Sequence, residues 1–529
     1  MLHRERVVFD YKPERARSCG MYNFPTRLLK KLAIFSHRWT GTAFCLLFSW
    51  WFVSGIFMMY FDFPGVQESD RIARAQALDA SRVNLSSSDA WAELKTPGVP
   101  DDLTLATFDG RPAYRFRLGR SEAIVYADNG QVRDEFPADL NLRTAAAWTA
   151  QSPNAAKTES VATVDQWTVG GVYNRYAPLT KYSWPNGDEV YVSEVTGQVV
   201  QYTTRVSRLG AWLGPVPHWL YFTPLRKNPR LWSKIVIWLS GVATVVAILG
   251  LIAGLSMYSP AKRYRSDGTP TSIPYAGPKR LHMILGLFFG VIACTWAFSG
   301  MLSMYPFPVK NADNSGAASR IPEALNGEPF AFEAFSGKTP REALAQLGPN
   351  FKVKKLEFLF AAGEPFYLAV QDSQHSRIVP VKGTPVAEID HASLLAIVNQ
   401  ASQPDGLAEA RFITEYDAYY LDRHHELPLP VLRVRIKSPR NTTFYIDPRT
   451  GRVIAAYSSA MWAERWVYHG LHSINLPWLY NHRPAWDIVV LTLMLGGTSL
   501  SITSVIIGWK LLRRNRRLTS NMISLGRKT

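Results

Sequence analysis

His37-Arg-Trp-Thr-Gly41, followed by Trp51-Phe-Val-Ser-Gly55 and Met59-Tyr60, returns at a constant offset of 245 as His282-Met-Ile-Leu-Gly286, Trp296-Ala-Phe-Ser-Gly300 and Met304-Tyr305. A second series at offset 254 pairs Tyr191-Val-Ser-Glu-Val-Thr-Gly197 with Tyr445-Ile-Asp-Pro-Arg-Thr-Gly451, Trp212 with Trp466, His218 with His472, Trp232 with Trp486 and Gly254 with Gly508. Between them, Gly110 and Tyr114 match Gly363 and Tyr367 at 253, and Asp165 matches Asp417 at 252. The offset drifts as loop insertions would make it drift. We read a tandem duplication of one unit, helix, domain, helix. Both copies enter and leave a membrane in the same sense, so a pseudo-twofold axis along the membrane normal relates them.

The membrane reading comes from where apolar and basic residues fall. The 529 residues are 47% hydrophobic and 19% charged, with a net charge of +17. Such a charge on its own would suggest a nucleic-acid binder. Residues 1–31, 259–280 and 510–529 together hold 20 Lys/Arg against 4 acids, leaving 39 against 38 elsewhere. Each of these basic segments borders a long apolar run, the pattern of cytoplasmic membrane edges, and no nucleic-acid partner is expected.

The runs 32–60, 231–258, 281–305 and 486–512 each exceed the roughly 20 residues needed to span a bilayer. The expected order is a cytoplasmic basic tail (1–31), a first span, an outside domain with an interfacial segment (61–230) and a second span. A cytoplasmic loop (259–280), a third span, a second outside domain (306–485), a fourth span and a cytoplasmic tail (513–529) follow. The first run is read as an anchor, not a cleaved signal peptide. Cys19 falls in the tail, and Cys45 and Cys294 in spans, so no disulfide framework is expected outside. Alternating runs such as 113–118, 189–192, 432–436 and 443–446 predict strands, with turns at Asp128-Asn-Gly130, Gly197 and Gly451. Helices over 89–94 and 390–401 are expected to be N-capped by Asp89 and Asp390. Each outside half reads as two small α+β units.

Histidines occupy matched places in both copies. His37 and His282 begin their helices at the cytoplasmic edge, while His218 and His472 each precede a matched Trp by 14 residues at the opposite edge. Two imidazoles meeting across a twofold axis are suited to axial ligation of haem iron. Gly41 and Gly286, four residues after their histidines, share the same helical face, where a flat macrocycle could lie against the backbone. Two b-type haems are expected; there is no Cys-x-x-Cys-His motif for covalent attachment. Interfacial histidines are also common structural residues, and duplication copies those too. His469, three residues before His472, is left as an alternative ligand or a neighbour of the ligand.

These stretches resemble the PepSY-associated transmembrane family, iron-regulated membrane proteins that include inner-membrane ferric-siderophore reductases. The resemblance covers nearly the whole chain and rests on His37-Arg-Trp-Thr-Gly41 with Ser54-Gly55, Asp165-Gln-Trp-Thr168, residues 191–197 and 445–451, and His472. In the first copy Ser193 stands where the Tyr-x-Asp-x-x-Thr-Gly pattern has Asp. The resemblance implies a bacterial inner-membrane protein with a haem-containing four-helix core and two periplasmic α+β PepSY-like domains. It further implies an oxidoreductase: electrons enter at a haem on His37 and His282, pass to one on His218 and His472, and reduce a ferric siderophore or other ferric chelate to release Fe(II). No dinucleotide fingerprint is present, so the donor is expected to be a quinol or a separate reductase. Outside, Arg175, Arg423 and His424-His425, with Asp417 and Tyr420 nearby, are the candidates for holding an anionic chelate; a plain solvated loop is the competing reading. A membrane-anchored peptidase-binding module and a transporter are the alternative functions.

Overall fold

The computed structural model describes residues 23–526 apart from 120, 162–163, 267, 307–316, 327–329, 362, 424 and 439–440. Four long helices run Asn23–Met58, Pro229–Met257, Gly277–Leu302 and Ala485–Gly526. Their apolar spans, Leu28–Met58, Pro229–Met257, Gly277–Leu302 and Ala485–Arg514, hold 26 to 31 residues. At 1.5 Å per residue that is roughly 39 to 46 Å, enough to cross a bilayer. Large apolar side chains including Leu46, Trp238, Phe288, Leu495 and Trp509 stand exposed on them, as lipid-facing residues do. The expected spans agree to within a few residues. The basic edge 513–526 is a continuation of the fourth helix, since its Arg and Leu residues favour helix and no Pro or Gly interrupts it before Gly526. Residues 1–22 of the tail, with Cys19, lie outside the described residues.

The chain divides into two compact units, with the divisions falling within the four long helices. The first comprises residues 1–49, 242–294 and 496–529; the second comprises 50–241 and 295–495. In the first unit, helices close on each other through small residues, as membrane helices do. A Cβ on Gly254 would come within 3.3 Å of Leu287, and one on its counterpart Gly508 within 3.1 Å of Thr42.

The strands, in chain order, are β1 (Asp102–Phe108), β2 (Arg111–Leu118), β3 (Ser121–Tyr126), β4 (Val132–Arg133), β5 (Lys157–Val161), β6 (Leu179–Ser183), β7 (Glu189–Ser193), β8 (Val199–Thr203), β9 (Tyr264–Ser266), β10 (Thr269–Thr271), β11 (Lys355–Ala361), β12 (Glu364–Val370), β13 (Ser376–Pro380), β14 (Leu407–Ile413), β15 (Val431–Ile436), β16 (Thr443–Ile446) and β17 (Val453–Tyr457). β9 and β10 form a hairpin in the first unit. The second unit has three antiparallel sheets, of orders β13-β12-β11-β1-β2-β3-β4, β5-β6-β7-β8 and β14-β15-β16-β17.

The seven-stranded sheet departs from the expectation of separate small units. β1 and β11 pair antiparallel, and Thr104 faces Glu357, its own counterpart at offset 253. Leu103, Leu105, Tyr114 and Phe116 share one buried core with Leu356, Phe358 and Tyr367. Joining the two edges satisfies backbone groups that each half alone would leave unpaired. Each four-stranded sheet keeps its own core against a helix, Ala138–Thr149 in one copy and His391–Ala401 in the other. Asp390 caps the latter as expected, accepting from Ser393 N at 2.8 Å. Asp89 does not cap: Ser86 does, and Asp89 at the third helical position answers it in a capping box.

Candidate functional site

Within the first unit, His37 on the first long helix meets His282 on the third, ring centroids 6.2 Å apart. His37 Nδ1 lies 3.0 Å from the Val246 carbonyl on the second helix. A carbonyl can only accept, so Nδ1 carries the proton and Nε2 keeps its lone pair. His282 Nδ1 meets Thr503 Oγ1 at 3.1 Å and Ser504 Oγ at 3.3 Å on the fourth helix. Both hydroxyls donate onward to the Leu500 carbonyl, at 2.7 and 3.0 Å, so their oxygens accept from the ring. Leu500 is the counterpart of Val246 at offset 254.

The second unit repeats this arrangement. His218 and His472 have centroids 6.1 Å apart. His218 Nδ1 meets Ser54 Oγ at 3.1 Å, and that hydroxyl donates to the Trp51 carbonyl. His472 Nδ1 meets Ser299 Oγ at 3.1 Å and the Trp296 carbonyl at 3.2 Å. Ser54 and Ser299, and Trp51 and Trp296, are matched at offset 245. The glycine after each serine lies beside the ring: a Cβ on Gly55 would be 3.6 Å from His218 Cε1, and one on Gly300 3.4 Å from His472 Cε1, both ordinary contacts. The chain reaches the two histidines by different routes. His218 ends a short helix, Pro215–His218, after a break at Gly214, whereas His472 follows a π-helical stretch, Glu464–Gly470. Such widened turns recur at functional sites. Both histidines are half-buried as residues. Burial, with the neighbouring imidazole adding to it, pushes the His218 pKa down to about 3, and burial pushes that of His472 down to about 4 against the Trp296 carbonyl. Both are therefore neutral imidazoles, the form that binds metal.

The spacing suits an iron between each pair. A ring of ~1.35 Å bonds has a radius of about 1.1 Å, and metal–imidazole bonds run about 2.0 to 2.1 Å. Two Nε2 atoms on one metal therefore place ring centroids roughly 6.2 to 6.4 Å apart. Ring packing alone spans a similar range. What distinguishes these pairs is that all four Nδ1 atoms are held by hydrogen bonds to helix groups, the outer-shell arrangement of histidine ligands. Among the described residues no group of three or more His, Cys, Asp or Glu is placed to hold a bare ion. Paired axial imidazoles suit a haem, whose macrocycle supplies the other ligands. Gly41 and Gly286 fit the expected cradle, since a Cβ on either would meet nothing closer than 3.8 Å. The donor sets fit two b-type haems, and the open glycine faces fit the one at the His37/His282 pair.

Of the alternatives for the second pair, it is the His472 ring that faces His218. His469 contacts Tyr468 at 4.9 Å, and its carbonyl accepts from Asn475 N–H at 3.1 Å.

The substrate candidates are not gathered into one site. Asp417 takes Tyr445 OH at 2.8 Å, the Tyr419 and Tyr420 N–H groups and an ion pair with Arg433 at 3.3 Å, which leaves it a structural residue. Its counterpart Asp165 takes Tyr191 OH at 2.6 Å in the same way. Tyr420 is buried, stacked on Tyr445 at 4.7 Å, and donates to the Pro428 carbonyl. Arg423 donates to the Met58 carbonyl at 3.2 Å, at the end of the first long helix. Arg175 is exposed and folds over Tyr176. His425 is exposed, with a left-handed backbone and its ring 5.1 Å from Tyr416. His424 lies outside the described residues. Ser54, Ser299, Val246, Thr503 and Ser504 were missed as site residues, although the matched Ser-Gly pairs were visible in the repeat.

A family model described as PepSY-associated TM region matches residues 36–328, more than half of the chain. No curated protein matches.

Proposed function

We propose that this chain, which belongs to the PepSY-associated transmembrane family, is a di-haem b reductase. It would stand in a bacterial inner membrane, with both termini cytoplasmic and two duplicated PepSY-like domains in the periplasm. It would take electrons from a quinol or reductase and deliver them to a ferric chelate, a ferric siderophore by preference, freeing Fe(II). The observation that carries this reading is the repeated hydrogen bonding of the four histidines, each Nδ1 held and each Nε2 left with its lone pair. Haem bound in this way supplies one-electron exchange between Fe(III) and Fe(II).

The residues' part is to hold the axial nitrogens, keep them unprotonated and present backbone without side chains at Gly41 and Gly286. His37 and His282 would hold the donor-side haem, and His218 and His472 the acceptor-side one. The basic edges set orientation, and the near-neutral remainder leaves chelate capture to local groups such as exposed Arg175 and His425.

The test is optical. The detergent-solubilised chain from haem-replete cells should show a Soret band and a reduced α-band of low-spin bis-imidazole haem. His37→Ala and His282→Ala should each remove one haem, and His218→Ala and His472→Ala the other. A colourless preparation would sink the reading and favour a membrane-anchored binding module or a transporter.

A further inference from the structure

Buried charged side chains are ordinarily paired, and arginine cannot lose its proton to escape the cost of burial. Arg465 is only 4% exposed, in the π-helical stretch seven residues before His472. Its Nε donates to the Ala418 carbonyl and its Nη2 to the Asn475 carbonyl at 2.8 Å; both are neutral groups. The guanidinium also lies 4.5 Å over the Trp466 ring. Nη1 is buried with no hydrogen-bond partner among the described residues. The carboxylate whose charge reaches it, Asp417, is already engaged by Tyr445 and Arg433. Among the described residues, this buried cation therefore has a free donor and no anion of its own.

Its surroundings lead to the second histidine pair. Asn475, which takes Nη2, closes the loop bearing His472 through its N–H to the His469 carbonyl. Tyr468, three residues after Arg465, stacks on His472 at 5.4 Å. Seven residues of helix are at most roughly 10 Å of rise, within the combined reach of a guanidinium and a carboxylate arm. Arg226 also has buried nitrogens without partners among the described residues, but it is only half-buried, and two rings, Trp232 and Tyr221 at 4.4 and 5.1 Å, face its charge where Arg465 has one.

We infer that Arg465 is the anion anchor of the acceptor-side cofactor, its open Nη1 receiving a haem propionate. This rests on the di-haem reading. A propionate's negative charge favours Fe(III), and arginine beside it offsets that charge and favours Fe(II).

Redox titration of the full-length chain in detergent, followed at the α-band, tests it, with the haems assigned by His282→Ala and His472→Ala. In Arg465→Gln the reduced-to-oxidised ratio of the acceptor-side haem should fall about tenfold at fixed ambient potential, 59 mV for one electron. If that haem is lost, the propionate band of Arg465→Lys decides. The His37/His282 haem should titrate unchanged, and Arg465→Lys, which keeps the charge, should restore most of the ratio. Two haems titrating as in wild type in Arg465→Gln would overturn the inference, even if thermal stability fell. If the glutamine variant does not fold, Arg465→Lys decides: the propionate bending band in resonance Raman spectra should shift, and an unshifted band refutes the contact. A wild-type chain without haem would show a different failure, that of the underlying reading, before any variant is made.

Discussion

On the proposed di-haem reading, Gly250→Ala should remove one haem and spare the other. A Cβ at Gly250 would lie 2.6 Å from His37 Cε1, 3.0 Å from Nδ1 and 3.2 Å from Nε2. The obstacle is a ring held by a hydrogen bond, so relief to an ordinary contact near 3.4 Å requires the imidazole to move about 0.8 Å. Gly250 and Val246 stand one turn apart on the same helix, so movement away from one stretches the 3.0 Å bond to the other past its useful range. That loss is about 0.5 to 1.5 kcal/mol. A metal–nitrogen bond is stricter, tolerating only about 0.2 Å. Alanine favours the helix over glycine by about 1 kcal/mol, so the helix itself should persist. The expected outcome is a folded chain with half the haem of wild type by pyridine haemochromogen assay. Gly55→Ala is the comparison: there the new Cβ meets the flexible end of Met494 at 2.8 Å and the His218 ring only at 3.6 Å, so both haems should remain. A Gly250→Ala chain with two haems and the wild-type spectrum would refute the reasoning.

Ser54→Ala removes the hydroxyl that accepts from His218 Nδ1–H, about 0.5 to 1.5 kcal/mol, so on the di-haem reading haem transfer to a scavenger protein should quicken roughly two- to twelvefold for one haem only, and less in Ser299→Ala, where the Trp296 carbonyl still accepts from His472. Equal loss rates with wild type would argue against the tautomer assigned here. Leu356→Ala opens a cavity where the two halves of the seven-stranded sheet meet, at a cost of about 2 to 5 kcal/mol; the thermal midpoint should fall while haem content at low temperature stays constant. In the same sheet, burial pushes the Glu357 carboxyl up, but Lys355 and Arg452, each 2.8 Å away, outweigh it and hold the pKa below its ordinary value. A depressed carboxylate stabilises above its unfolded pKa and loses that contribution as pH falls through the folded one. Acid should therefore destabilise the wild type more steeply than Glu357→Gln below about pH 4.3; parallel curves would refute the pairing.

Hydropathy made the spans legible because 26 or more apolar residues in a row have few other uses. The histidine pairs were legible because the same residues recur in register, and a second copy supplies each with a partner. What was hidden is what depends on long-range pairing. Alternation along 102–108 and 355–361 tells which side chains face inward, not that the two strands lie side by side 253 positions apart. The local cap at Ser86 was overlooked because Asp89 is an equally good capping residue, and only the geometry of the first turn decides between them. Asp417 and Tyr420 looked like site residues because polar and aromatic groups cluster around the His424-His425 loop. In the fold, the carboxylate serves Tyr445 and backbone amides, and the phenol is packed in the core.

The two offset series have a physical division of labour. His37 and His282 belong to the 245 series, and the groups that hold them, Val246 and the Leu500-linked hydroxyls of Thr503 and Ser504, lie on the helices of the 254 series. His218 and His472 belong to the 254 series, and their holders, Ser54 and Ser299, to the 245 series. Each pair is thus formed by one set of matched elements and oriented by the other. An insertion in a surface loop of the second unit can change the offset between the series without disturbing either site, because each site is assembled by helices packed in space and not by the length of the loop between them. A one-residue insertion within a long helix is different, since it turns everything beyond it by about 100°. Placed between His37 and Ser54 it would turn the imidazole or the distant serine away from its partner, and on the di-haem reading the chain should then lose one haem while the sheets of the second unit keep their fold.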